Sequence, residues 1–149
     1  MRDRYPRVVR FKETDAGGVV YFAELLSFCH EAYEDALAKA GIDVRTFFSK
    51  EGKAEESPLA EEQSQIRIAV PIVHTEADFF KPLFCGDRIA ISLVPKQLTP
   101  HSFEIAYEVF SHSEQKIANA LTRHVAIRVD CRDCCPLPDY LTTWIASFA

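Results

Sequence analysis

An α+β fold, with an antiparallel sheet curled around one long helix, is what this sequence predicts. Three observations carry the prediction. One long amphipathic segment follows a glycine turn near the N-terminus. The later segments with a clear period alternate apolar and polar residues, as half-buried strands do. The connections between those segments are of hairpin length, which joins antiparallel strands. The apolar stripe of the helix needs a large surface to cover it, and a curled sheet supplies one. The sheet's outer edges stay open, which favours self-association by sheet pairing or packing.

In chain order, residues 5–12 (YPRVVRFK) form a first strand, with Tyr5, Val8, Val9 and Phe11 suited to a pleated surface. A turn with Asp15, Ala16, Gly17 and Gly18 follows. The helix then places Phe22, Leu25, Leu26, Cys29, Ala32, Tyr33, Ala36, Leu37 and Ala40 at steps of three and four, in one stripe. Glu24, Glu31, Glu34, Asp35 and Lys39 fall largely away from it, and Gly41 is a natural C-terminal stop. Residues 42–49 are a connector whose two phenylalanines cover an edge of the core.

Residues 50–65 (KEGKAEESPLAEEQSQ) read as a solvated loop with room for one helical turn at 59–62. A surface excursion explains this loop, and a lid over a site is the alternative. From Ile66 the pattern turns to strands, with Ile66, Ile68, Val70 and Ile72 on one side and Pro71 marking an edge, bulge or loop. Residues 73–79 are the better strand of that run. Residues 88–95 alternate through Ile89, Ile91 and Leu93, and residues 102–111 through Phe103, Ile105, Tyr107 and Val109. A long last strand spans 116–130, with Ile117, Leu121, Val125, Ile127 and Val129 on its core face. The tail carries two prolines and a short helix. Residues 1–149 are expected to form one domain around one core.

Composition narrows the function. The net charge of −5 argues against non-specific nucleic-acid binding, which needs basic surface. An anionic ligand would need a local basic patch, for which Lys81, Arg88, Lys96, Lys116, Arg123, Arg128 and Arg132 are candidates. No apolar run is long enough to span a membrane, and the first residues show no secretory signal. Five cysteines without such a signal are expected to stay reduced in the cytoplasm.

Metal and nucleophile motifs fail on inspection. His30-Glu31 begins a zinc-helix pattern, but residue 34 is Glu34 where a second histidine is required. Cys131 and Cys134 form one CxxC, half of a zinc site, with His124 as the other nearby ligand type. The sequence pairs none of its cysteines with a histidine base, and it has no GxSxG and no phosphate loop. His74, Asp78, His101 and His124 read as structural or surface residues. No metal and no cofactor are expected.

The turn is different. Two glycines allow a tight bend and close approach of a ligand. The helix that follows offers open N–H groups and a partial positive charge. A carboxylate beside such donors suits attack on a carbonyl, the acid handling a proton or acting as nucleophile while the amides hold the oxyanion. An ordinary turn, with Asp15 serving only the helix dipole, fits the spacing equally well.

The stretch ETDAGGVVYF (residues 13–22), the long helix and DFFKPLFCGD (78–87) resemble the hotdog-fold acyl-CoA thioesterases of the 4-hydroxybenzoyl-CoA type. CHEAYE (29–34), VHTEADFF (73–80), CGDR (85–88) and PLP (136–138) are similar to the cyanobacterial 1,4-dihydroxy-2-naphthoyl-CoA hydrolases of phylloquinone and menaquinone synthesis. The resemblance implies a catalytic Asp15, as nucleophile or general base, and a thioester carbonyl polarised by the backbone N–H near Phe22. It places Gly18, Tyr21 and Phe22 in the substrate site. It implies homodimers or homotetramers with active sites at the dimer interface, an acyl-CoA substrate and no cofactor. A short- or medium-chain acyl thioester, free or on a carrier protein, is the alternative substrate. A non-catalytic acyl-CoA-binding module is the alternative of another class. The loop at 50–65 is longer than the resemblance leads one to expect.

Overall fold

The computed structural model describes residues 3–48, 53–54 and 67–149. The rest of the expected loop at 50–65, with its helical turn and its role as a lid, lies outside the described residues. Five strands form the main sheet, in the order β1 (Tyr5–Val8), β5 (Arg88–Thr99), β6 (Ser102–Ser111), β7 (Lys116–Val125) and β4 (Ile72–Phe79), with every neighbouring pair antiparallel. A small second sheet joins β2 (Lys53–Ala54), β3 (Arg67–Ala69) and β8 (Ile127–Arg128). The helices are α1 (Phe22–Lys39), α2 (Val44–Phe47) and α3 (Asp139–Ala146). Helix α1 lies against β5, near one edge of the main sheet, and against β4, its other edge. A sheet reaches one helix with both flanks only by curling around it.

The inner face is a set of cross-strand rows. Leu93, Tyr107, Ala120 and Ala77 lie opposite one another, as do Ile91, Val109, Ala118 and Phe79. Against them α1 buries Leu25, Phe28, Cys29, Ala32, Tyr33 and Leu37. The observed stripe differs from the expected one at Phe22, Phe28 and Ala40, the last exposed just past the helix end. Phe22 is 49% exposed, because it opens the helix beyond the sheet's cover, whereas Phe28 is fully buried. Phe47 of α2 and Leu141, Trp144 and Ile145 of α3 close the rest of the core. Tyr33 meets Phe47 and Trp144 there, with ring centroids 6.3 and 5.9 Å apart.

Strand β7 corrects the expected core face. Val109 pairs with Ala118 but Phe110 pairs with Lys116, so Ile117 is an extra residue in a bulge. A bulge shifts a strand's phase by one. Beyond it Ala118, Ala120, Thr122 and His124 point inward, and Leu121 and Val125 point out. The Ile117 carbonyl, freed from the ladder, accepts the Phe80 and Lys81 amides at 2.8 and 3.2 Å. The strand also ends at Val125 rather than running to 130, and Ile127–Arg128 turns to the small sheet.

The inward polar pair on β7 is satisfied only in part, because His124 Nδ1 is buried without a hydrogen-bond partner among the described residues. His124 stacks on Phe103 with centroids 4.6 Å apart and shares a 2.7 Å hydrogen bond between Nε2 and the Thr122 hydroxyl, which meets Tyr107 Oη at 3.1 Å. Burial first, and then the neighbouring His30, push His124 down to about 3, so its ring is neutral at ordinary pH. His124 is therefore a core histidine.

Candidate active site

Strand β1 leads through a 3₁₀ turn at Phe11–Glu13 into a short hairpin whose tip carries Asp15. Thr14 bridges Val20, the Asp15 amide donates to the Val19 carbonyl at 2.9 Å, and the Tyr21 amide donates to the Glu13 carbonyl at 3.4 Å. The Gly18 amide closes the turn onto the Asp15 carbonyl at 2.9 Å. Gly18 has φ +79°, a left-handed conformation that favours glycine. Inside the turn the Gly17 amide donates to Asp15 Oδ1 at 2.8 Å. A Cβ on residue 17 would meet that oxygen at 3.2 Å, tight enough that the Asp15 carboxylate would have to shift by a few tenths of an ångström. The other Asp15 oxygen accepts no hydrogen bond among the described residues, and the residue is exposed.

The hairpin is braced on both sides. Val19 bridges Phe84, and the Val20 amide donates to the Leu83 carbonyl at 2.8 Å. At its root Arg7 grips Glu13 with two bonds of 2.8 Å, and the Arg10 amide adds a third at 2.8 Å. Burial pushes the Glu13 carboxyl up, but the Arg7 guanidinium and the Arg10 amide outweigh it and hold the group below the usual carboxylate range. Arg7 also reaches Glu31 on α1 through Nε at 2.9 Å.

Helix α1 starts without a side-chain cap. Tyr21 occupies the capping position, where an oxygen-bearing short side chain would normally close the first amides. The Glu24 and Leu25 amides turn back to the Tyr21 carbonyl at 2.9 and 3.4 Å. The Phe22 and Ala23 amides find no acceptor among the described residues, so they remain open donors at the positive end of the helix.

The residues expected in the site thus fall into two groups. Asp15 and Gly18 share the turn, and Tyr21 and Phe22 share the helix start. The hairpin stem joins the groups; no hydrogen bond links Asp15 to the Phe22 amide among the described residues. Around them the chain exposes large apolar side chains: Phe11 at 80%, Tyr21 at 54%, Phe22 at 49% and Phe84 at 49%. Such a concentration marks a surface meant to be covered.

The basic candidates also separate. Lys116, Arg123 and Arg128 lie beside Glu108, Glu104 and Asp130 at 2.6, 3.7 and 3.1 Å. Arg88, Lys96 and Arg132 have no carboxylate partner among the described residues. No group of three or more metal-ligating side chains occurs among the described residues. Sequence reasoning passed over Arg7 and the side chain of Glu13. The available signal was a basic residue and an acidic one on either side of a turn, and neither type stands out until the fold pairs them.

Residues 9–145 match the model of the thioesterase-like superfamily. A 1,4-dihydroxy-2-naphthoyl-CoA hydrolase of Crocosphaera subtropica is 46% identical over 145 residues, covering 96% of this chain and 95% of the relative. One from Thermosynechococcus vestitus is 42% identical over 147 residues, covering 99% and 90%. The crystal structure of a 1,4-dihydroxy-2-naphthoyl-CoA thioesterase from Synechocystis superposes with a TM-score of 0.81 at 35% identity, covering 96% of this chain and 94% of that one.

Proposed function

The chain belongs to the thioesterase-like superfamily, and on that premise we propose that it hydrolyses 1,4-dihydroxy-2-naphthoyl-CoA to 1,4-dihydroxy-2-naphthoate and CoA, a step of quinone synthesis. The observation that carries this reading is similarity of 42–46% over nearly the whole length of the hydrolases named above. We read residues 1–149 as a single hotdog thioesterase domain.

Asp15 supplies the base or the nucleophile. As base, its carboxylate takes a proton from water, whose oxygen attacks the thioester carbon. The tetrahedral intermediate then expels CoA thiolate, which takes up the proton and leaves Asp15 ionised. As nucleophile, Asp15 expels the thiolate directly and forms an anhydride that water cleaves. In both routes negative charge develops on the carbonyl oxygen, and we assign its stabilisation to the Phe22 amide, a reading supported by the uncapped start of α1. A thioester is already activated, so one carboxylate and one or two donors suffice without a cofactor. Gly18 keeps the turn narrow beside the acyl group, and the Tyr21 and Phe22 rings offer it flat apolar contact.

A second copy of the chain completes the unit. Strand β4 is paired on one side by β7, and its residues Ile72 and Val73 are exposed at the other edge of the sheet. Pairing there, together with the exposed phenylalanines, favours a homodimer or homotetramer with the site at the interface. No helix among the described residues is long and apolar enough to cross a membrane. Cys29, Cys85, Cys131 and Cys134 carry no disulfide, which fits a reducing, cytoplasmic setting.

Release of free thiol tests the substrate. The naphthoyl thioester is expected to exceed benzoyl-CoA and a medium-chain acyl-CoA in kcat/KM by at least about tenfold, the lower range for discrimination by a shaped apolar pocket. A preference for the fatty thioester would move the enzyme to another pathway. Tight binding with no thiol release would make it a binding module.

A further inference from the structure

We propose that Arg7 is a positioning residue for this hydrolysis: its guanidinium fixes the Asp15 hairpin and the start of α1 relative to each other. The inference rests on the thioesterase reading above and adds to it a residue outside the turn and the helix start. Arg7 sits on β1, and its side chain is 13% exposed. All three of its nitrogens are engaged. Nη1 and Nη2 fork onto the two oxygens of Glu13 at 2.8 Å each, and Nε meets Glu31 Oε1 at 2.9 Å. The flat face of the guanidinium lies 4.0 Å from the centre of the Phe28 ring. One planar group therefore joins β1, the hairpin root and two residues of α1 one turn apart. Only arginine has the fork for such a junction.

Glu13 is the residue through which the effect passes. Its side chain is held by Arg7, and its carbonyl accepts the Tyr21 amide at 3.4 Å. Asp15 follows it by two residues on one limb, and the open Phe22 amide follows Tyr21 on the other. Any movement of Glu13 displaces the carboxylate and the donors together. Displacement of reacting groups by about 1 Å costs on the order of 10²-fold in rate. A buried ion pair that served stability alone would be replaceable by uncharged groups of similar size. That difference makes the two roles separable.

The test uses Arg7→Met, Arg7→Met/Glu13→Gln and Arg7→Lys in the full chain, with kcat and KM for the naphthoyl thioester and the thermal midpoint measured for each. Arg7→Met leaves Glu13 buried without its cation, so both midpoint and kcat are expected to fall. In the double variant glutamine still accepts the Arg10 amide, and the midpoint is expected to return toward that of the wild type. Its kcat stays about 10- to 100-fold low, with KM within about threefold, the pattern of lost transition-state positioning. Arg7→Lys keeps the charge but lacks the fork, and kcat is expected to fall about tenfold. A refolded double variant with wild-type kcat overturns the proposal, as does a loss confined to KM. Should the double variant not fold, Arg7→Lys decides, and an unchanged kcat in it overturns the proposal. If the wild type cleaves only benzoyl-CoA or the medium-chain thioester, the substrate reading falls and the Arg7 series is run on the thioester it does cleave. If it cleaves none, both readings fall.

Discussion

Asp15→Asn is expected to lower kcat for the naphthoyl thioester by about 10²–10⁴, the range for removing a positioned proton acceptor. Asparagine is the informative replacement. Its side-chain oxygen can still accept the Gly17 amide that Asp15 Oδ1 holds at 2.8 Å. The turn, its Gly18 closure and the bridge between Thr14 and Val20 therefore survive. Unfolding free energy should stay within about 0.5 kcal/mol of the wild type, as for surface substitutions that break no special feature. KM should change little, because the lost group acts on the reacting atoms. A variant with full turnover would remove Asp15 from the mechanism and leave the carboxylate a turn-former. Asp15→Ala should be equally inactive but less stable, since alanine has nothing to offer the Gly17 amide.

Phe28→Ala is expected to destabilise the fold by about 3–5 kcal/mol, the usual range for emptying a large aromatic site in a core. Phe28 is fully buried on the inner side of α1. Its loss removes apolar burial, leaves a cavity, and strips the surface on which the Arg7 guanidinium rests at 4.0 Å. With a urea slope of about 2–3 kcal/mol/M, the unfolding midpoint should drop by roughly 1–2.5 M at fixed protein concentration. A midpoint that does not move would mean that the neighbouring side chains refill the space. Residual folded enzyme should also show reduced kcat, because Arg7 loses one of the surfaces that align it.

Much of this fold was legible because strands announce themselves by period. Residues 102–111 alternate cleanly, and β6 spans Ser102–Ser111. The phase of β7 was not legible, because one bulged residue at Ile117 reverses which side faces in. The inward residues there are small or polar, so hydrophobicity pointed to Leu121 and Val125 on the wrong side. The long helix showed its stripe, but the sheet covers Phe28 and leaves Phe22 outside, a choice made by where the sheet ends. In the site, the two glycines exposed the turn and Asp15 directly. The bracing of that turn was hidden. Arg7 and Glu13 look like ordinary surface charges in sequence, and only folding brings a fork, a carboxylate and a ring into one half-buried junction.

The uncapped start of α1 sets two selective pressures against each other. A serine, aspartate or asparagine at residue 21 would accept one of the open amides, that of Ala23, and return about 1 kcal/mol to the helix. Consensus repair or selection for heat tolerance would favour that change. The same side chain would take the Ala23 amide, the second of the two open donors proposed to face the thioester oxygen, and leave that of Phe22 alone. Adaptation to higher temperature therefore draws its stability at less cost to turnover from other parts of the chain than from a cap at Tyr21.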